Sequence, residues 1–333
     1  MIRICAGIPN SDDGISFYRS MGPFSSMRGE IELVFPQSTN WVLFKSVDLV
    51  FLSRPFTPEH AETIRQAHFY GKKVWIDYDD DLLHVPLDNP NYHMYASEEV
   101  RRSVLACMKT ADVITVSSEA LRDLMTSHGA KDARIVPNAF DDFAFDVDKR
   151  ARRNNPKDVV MWRGSMCHDK DWVVNLQSLS MAAKANPTWS WHTLGWIPWH
   201  FVENLPVDRV KLYPPVGIFE YFELLATQHP SITIVPLVFH QFNVAKSNIA
   251  HIEGTWAGGV TVAPRMPEWM RPGVVTYTSP QDIGVVLTKV MRMSEAERAK
   301  LVEQAWEAIP LLSQTNKIRM QVIQDLVGDR SVA

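Results

Sequence analysis

The chain has 333 residues, 46% of them hydrophobic and 22% charged, with a formal net charge of −4. This is the composition of an ordinary soluble globular protein; it excludes a disordered tail, a collagen-like chain and a coiled coil, and at about 150 residues per domain the length predicts two domains. The near balance of 34 Lys plus Arg against 38 Asp plus Glu argues against a protein that binds polyanions through its overall field.

The N-terminal stretch Met1–Pro9 is too short for a signal peptide and reads as a first strand. No apolar run reaches the roughly 18 residues that cross a bilayer, so no membrane span is expected. Cys5, Cys107 and Cys167 are far apart and odd in number, which predicts neither a disulfide framework nor a CxxC site. The reading is of a reduced, cytoplasmic protein.

Along the chain, short β-branched runs alternate with amphipathic segments. Ile2–Ile8, Ile31–Phe35, Leu49–Ser53, Lys73–Asp77, Val113–Val116 and Arg134–Val136 read as strands. A helix opens at Thr57-Pro58-Glu59, with Thr57 as N-cap and Pro58 at the first helical position. Others cover Ser97–Thr110 and Ser118–His128. Residues 146–158 are rich in charge, contain the basic run Lys149–Arg153, and read as a linker. A second alternation follows, with strands at Val159–Arg163, Ser190–Leu194, Arg209–Leu212, Ile232–Val235 and Val260–Ala263. Its helices are expected at Asp171–Ala185, Ile218–Gln228 and Ala245–Trp256, then from a capping box at Ser294-Glu295-Ala296-Glu297, and finally at Ser313–Leu326. Strand–helix alternation in both halves predicts parallel sheets covered on both faces, hence two nucleotide-fold domains facing a cleft.

The first strand runs into Gly7-Ile8-Pro9-Asn10-Ser11-Asp12-Asp13-Gly14 and then Tyr18-Arg19. The chain has neither GxGxxG nor GxxxxGK[ST], which argues against a nicotinamide dehydrogenase and a P-loop NTPase. The second half says more. The strand Ile232–Leu237 leads through Val238–Gln241 to Phe242-Asn243-Val244-Ala245-Lys246-Ser247-Asn248, and on to Ile249–Glu253 and Ala257-Gly258-Gly259. Lys246, Ser247 and Asn248 are expected at a helix start, where free N–H groups, the dipole and a lysine suit a diphosphate. Glu253, one to two turns on, suits a ribose diol.

These residues resemble the GT-B glycosyltransferases, specifically the large retaining group with an E-x7-E motif before an A-x-G turn. Glu253 matches the second Glu of that motif, and Ala257 and Gly258 match the turn; Ala245 stands where the first Glu falls. Phe242-Asn243-x-x-Lys246-Ser247-Asn248 and Trp162–Asp171, with Gly164-Ser165 and His168, are similar to a branch common among phage and surface-polysaccharide enzymes. Ala111–Ser118 and Pro137-Asn138-Ala139-Phe140-Asp141 are similar to the last strands of the family's first domain and its interdomain segment. The resemblance implies an acceptor domain at 1–150, a nucleotide-sugar domain at 151–311 and a C-terminal helix at 312–333 packing back on the first domain. It implies a retaining transfer in which Lys246 and Arg163 stabilise the leaving diphosphate without a required metal or other cofactor. Donor contacts are then expected from Gly164, Ser165, His168, Lys170, Gly195 and Trp196, and from His240, Asn243, Ser247, Asn248 and Glu253. Phage members of the branch imply a hydroxylated or hydroxymethylated pyrimidine in DNA as acceptor, with Lys149–Arg153 on phosphates. A polysaccharide, lipid or small-molecule acceptor is the alternative, as is a non-catalytic nucleotide-sugar-binding protein.

Three features stay open on sequence alone. Asp77-Tyr78-Asp79-Asp80-Asp81 packs four carboxylates into five residues, which repel unless they find a cation, a helix start or water. The cluster reads as acceptor binding or base catalysis, with Asp79 and Asp80 catalytic and Asp77, Asp81, Gly14 and Arg19 on the acceptor; as a D-x-D metal site of Asp79 and Asp81; or as a solvated cap. The histidines show no metal-ligand spacing, and no Ser-His-Asp arrangement is legible. Trp189, Trp191, Trp196 and Trp199 fall within eleven residues and serve either as core or as a stacking surface. Residues 1–150 hold 16 basic and 22 acidic side chains, against 18 and 16 in the remainder. An acidic first half does not suit DNA, while a slightly basic second half suits a diphosphate.

Overall fold

The computed structural model describes residues 1–8, 13–36, 41–145 and 157–328. The expected linker at 146–158, including Lys149–Arg153, lies outside these residues, except that Lys157 and Asp158 open a strand.

The first half contains a six-stranded sheet: β1 (Ile2–Gly7), β2 (Ile31–Val34), β3 (Leu49–Ser53), β4 (Lys73–Tyr78), β5 (Val113–Val116) and β6 (Ala133–Ile135). Its order is β2-β1-β3-β4-β5-β6 and its pairings are parallel. The second sheet comprises β7 (Lys157–Gly164), β8 (Ser190–Gly195), β9 (Val210–Tyr213), β10 (Pro230–Ile234), β11 (Val260–Pro264) and β12 (Val275–Tyr277). It too is parallel, in the order β12-β11-β10-β7-β8-β9. Parallel strands are covered on both faces, which is why β3 reads as a near-continuous apolar run and β3 and β10 are buried throughout.

The crossover helices begin where short polar side chains satisfy orphan N–H groups. Thr57, Ser97, Ser118 and Ser294 each accept a bond from the residue three ahead, and Ser294 and Glu297 close the expected capping box. The last helix, Leu312–Val327, returns to the first sheet: Val322 and Ile323 are fully buried against Ile4, Phe51 and Trp75. A separate apolar cluster joins the halves, with Phe17, Tyr18 and Phe140 packed among Met161, Leu194, Phe222, Ile252 and Trp256.

The differences from expectation are local. The helix expected over Ala245–Trp256 begins only at Ile249 and runs to Trp256; a separate short helix, Gln241–Val244, precedes it, with a non-helical step between. Ser118 Oγ donates to the Ala245 carbonyl at 2.8 Å, which pulls that carbonyl to the first half. Lys246 and Ser247 therefore precede the second helix, and Asn248 is its N-cap residue without a side-chain capping bond. The helices Gly14–Arg19, Met21–Ser26 and Ile283–Met291 and the strand β12 were not expected from the sequence. Trp189 and Trp191 are core, packed with Trp162, Trp172 and Phe201.

In a doubly wound sheet, ligands bind beyond the carboxyl ends of the strands, where the strand order reverses. The reversal lies between β1 and β3 in one sheet and between β7 and β10 in the other. Both points open onto one interdomain space.

Candidate functional site

That space is a cavity of about 740 Å³. The first half lines it with Asp13, Gly14 and Tyr18 at the helix Gly14–Arg19, Arg54 after β3, and Asp79 and Asp80 after β4. The second half lines it with Arg163, Gly164 and Ser165 at the end of β7, Gly195 at the end of β8, the loop residues Lys246 and Ser247, and Glu253. Gly164 and Gly195 end their strands in register, and Trp196 N donates to the Gly164 carbonyl at 2.8 Å. Gly195 has φ +101, and a Cβ there would fall 2.4 Å from that carbonyl oxygen. Glycine lets the two strand ends close on each other at the cavity wall.

Glu253 organises one end. Its carboxylate is 4% exposed. Tyr18 Oη donates to Oε1 at 2.7 Å, and Tyr221 Oη donates to Oε2 at 2.5 Å. Arg163 Nε lies 2.5 Å from Oε2 as an ion pair, although its N–H does not align as a hydrogen bond; Nε and Nη2 are buried without such a partner among the described residues. Burial and the Glu253 charge push both phenols well above their ordinary range, so they stay protonated and donate.

The other end is a chain of charges. Arg54 bridges Asp79 and Asp80, with its Nη2 2.8 Å from Asp80 Oδ2. Lys246 Nζ crosses from the second half to Asp80 Oδ1 at 3.1 Å and lies 4.4 Å from the centre of the Phe242 ring. Burial opposes ionisation of both acids. In Asp80 the charges of Lys246 and Arg54 outweigh it and hold the carboxyl below its usual range, whereas Asp79, with Asp80 beside it, is raised. Arg54 adopts φ +48, a conformation sparsely populated by non-glycine residues.

Of the residues expected from sequence, Lys246, Arg163, Asp79, Asp80, Gly164, Ser165, His168, Gly195, Ser247, Glu253 and Gly14 line the cavity. Eight do not. Asp77 and Arg19 form a buried bidentate pair at 2.9 and 2.7 Å, with Thr115 also donating to Asp77, so neither faces an acceptor. Asp81 accepts from Leu83 N, His84 N and His84 Nδ1, which ties down its own loop. Asp79 and Asp81 therefore do not converge as a D-x-D pair. Among the described residues no group of three or more His, Cys, Asp or Glu is placed to hold a metal ion. Asn243 is buried on Asp171 and the Val238 carbonyl, and Asn248 is buried at its helix start. His240 is exposed and caps the helix Gln241–Val244. Lys170 is exposed, 3.9 Å from Asp88. Trp196 turns away from the cavity to Asp169. His168 keeps its place through a 2.9 Å bond to Asp171.

Sequence reasoning missed Tyr221, Arg54, Asn89, Asn91 and Tyr95 in the cavity wall, and gave Tyr18 no role. Arg54 carried one usable signal, a cation directly after a buried strand. The others carry no local pattern and meet only through the fold.

No family model and no curated protein matches the sequence. Solved structures do match in shape. HepE from Anabaena, in complexes with UDP and glucose and with UDP-glucose, aligns over 98% of this chain and 100% of its own, at TM-scores of 0.68 and 0.66 and 11% and 13% identity. The chain has the GT-B fold. A UDP-forming α,α-trehalose-phosphate synthase from Burkholderia xenovorans aligns over 86% of this chain and 76% of its own, at TM-score 0.59 and 14% identity. TarM from S. aureus aligns over 84% and 55%, at 0.60 and 10%.

Proposed function

We propose that the protein is a glycosyltransferase that takes a nucleoside-diphosphate sugar, with UDP-glucose as the first donor to test, and passes its sugar to a hydroxyl group with retention. The observation that carries the reading is the convergence of Lys246, Arg163, Glu253 and the Gly164–Ser165 strand end in one cavity at both switch points. Solved structures of the same fold that contain UDP and UDP-glucose support it. In the reaction the sugar C1–O bond to the diphosphate breaks, a bond from C1 to the acceptor oxygen forms, and the hydroxyl proton leaves with the nucleoside diphosphate or a nearby base. The barrier is the charge growing on the leaving diphosphate. Lys246 and Arg163, in a cavity partly shielded from water, are suited to neutralise it. Two fixed cations make a metal unnecessary in this reading, so EDTA leaves the rate unchanged. Glu253 holds the ribose.

The acceptor enters from the first half. That wall presents Asp13, Asp79 and Asp80 against one cation, Arg54, together with Asn89 and Asn91. Such a surface suits a hydroxyl on an uncharged sugar or small molecule better than one on a polyanion. The pyrimidine in phage DNA expected from the sequence gains nothing from the comparisons, and Lys149–Arg153, the run meant to hold it, lies outside the described residues. Among the described residues no helix is long and apolar enough to cross a membrane, and we retain a cytoplasmic site of action as part of this reading.

The experiment is a donor screen. Purified protein is incubated with UDP-, ADP-, GDP- and TDP-sugars, with neutral saccharides, a glycan extract, plain DNA and hydroxymethylated DNA as acceptors, and nucleoside diphosphate release is measured. Turnover with a neutral saccharide supports the whole reading. Turnover only with hydroxymethylated DNA restores the DNA acceptor. Nucleotide binding without any turnover supports the non-catalytic alternative.

A further inference from the structure

The groups assigned to the donor are not waiting for it. Glu253 and Lys246, the proposed ribose and diphosphate contacts, are both engaged from across the cavity by side chains of the first half: the Tyr18 hydroxyl and the Asp80 carboxylate. Each chemically resembles the part of the donor it faces. A phenol and a ribose hydroxyl are both O–H donors to a carboxylate, and a carboxylate and a diphosphate are both anions that pair with an ammonium.

We infer, resting on the donor site proposed above, that Tyr18 and Asp80 occupy the donor's places on Glu253 and Lys246 and are displaced when it binds. The two oxygens of Glu253 are unequally occupied. Oε2 takes Tyr221 and Arg163, both of the second half, whereas Oε1 has Tyr18 as its partner among the described residues. The incoming diol competes with Tyr18 for Oε1 by exchange of one hydrogen bond for another. Lys246 is 17% exposed, so a diphosphate can reach it from the cavity. Once Lys246 turns to the diphosphate, Asp80 keeps Arg54 at 2.8 Å on Oδ2 and gains a free Oδ1. That oxygen is then an acceptor for a substrate hydroxyl, and it becomes available only after the donor is seated. Tyr18 is a positioning residue in this account, and Asp80 touches the acceptor once Lys246 has left it.

The test relies on sign. A residue that contacts the donor weakens binding when removed; a stand-in strengthens it. Calorimetry measures the affinity of wild type for UDP, ADP, GDP and TDP, and the tightest of these is titrated into Tyr18→Phe, Asp80→Asn and Glu253→Gln. Phe keeps the aromatic ring in the interdomain cluster, and Asn keeps the outline of Asp80. Each variant is read if its thermal transition is wild-type-like, so a loss of folding in one leaves the other to decide. Both are expected to bind about tenfold more tightly, equivalent to about 1.4 kcal/mol, while Glu253→Gln binds more weakly. Unchanged or weaker binding in the folded Tyr18→Phe and Asp80→Asn variants overturns the stand-in account and leaves the donor site intact. If wild type and variants bind none of the four diphosphates, the donor-site reading itself falls.

Discussion

Glu253→Gln separates what the carboxylate does for folding from what it does for a ligand. The substitution removes a charge from a side chain 4% exposed and leaves Arg163, 22% exposed, without its counter-ion. Removing one partner of a fully buried pair costs about 3–5 kcal/mol, and the opening of Arg163 to the cavity lowers this to about 2–4. Arg163→Met keeps the aliphatic stem and leaves Glu253 uncompensated instead, at a similar cost. With both substitutions neither charge of this pair remains. The double variant should therefore lose about 1–3 kcal/mol less than the sum of the singles. Urea unfolding followed by the fluorescence of the 11 tryptophans measures all four corners of the cycle. Nucleotide binding should be lost in the double variant even as its stability recovers. Additivity within about 0.5 kcal/mol would refute the coupling and the assignment of Arg163 as the counter-charge.

Other predictions follow from single distances. Gly195→Ala drives a Cβ to within 2.4 Å of the Gly164 oxygen at φ +101 and should cost about 2–4 kcal/mol, whereas Gly217→Ala, with nothing within 4 Å, should cost no more than about 1, for the lost glycine N-cap; equal melting temperatures would contradict the strand-end argument. Burial holds the imidazoles of His192 and His251 down to about 4. The unfolded chain then binds more protons than the folded one from about pH 6.5 down to about 4, so stability is full above that window and falls through it by up to about 1.4 kcal/mol per unit per histidine. Urea midpoints that stay flat from pH 7 to pH 5 would rule this out. Arg19→Met leaves Asp77 buried and unpaired and should lower stability by about 3–5 kcal/mol, while nucleotide affinity of the folded variant, with Tyr18 and Asp80 less firmly held, is unchanged or tighter; a selective loss of affinity would return Arg19 to the cavity.

The fold was legible because parallel strands write themselves as apolar runs and because caps are local. Eleven of the twelve strands among the described residues, and the capped helices, were readable within a few residues. The short helix Gly14–Arg19 was not: six residues do not form a helix by propensity, and tertiary bonds made by Arg19 hold it. In the site, the second half was read better than the first. Arg163, Lys246 and Glu253 lie on a strand end, a loop and a helix whose spacing is visible in the sequence. The first-half wall is drawn from separate loops, and position alone did not reveal that Asn89, Asn91 and Tyr95 line one cavity with Arg54. Ala245 explains part of the difference. It packs with the first-half core, and its carbonyl is held by Ser118, so the position matching an absent motif acid belongs to the seam between the halves.

The acidic run shows the limit most clearly, because chemically alike residues part company over five positions. Asp77 is still in β4 and points into the protein, where Arg19 also reaches the Val136 carbonyl at 2.6 Å and Asn138 at 3.0 Å. Asp79 and Asp80 follow the strand and face the cavity, and Asp81 turns back to His84. Composition treats these as one cluster; the pleat and the turn after it divide them into an anchor, a charged wall and a loop cap. The anchor also sets the wall. Arg19 and Tyr18 are adjacent, so the pair that ties Arg19 to Asp77 fixes both Tyr18 and, three residues beyond Asp77, Asp80. Asn138 carries the constraint across, through its 2.8 Å bond to Ser247 beside Lys246. The buried Arg19–Asp77 pair thus holds the two first-half groups at the spacing of Lys246 and Glu253 on the opposite wall. A residue that sequence assigned to the acceptor sets the geometry in which donor and acceptor meet.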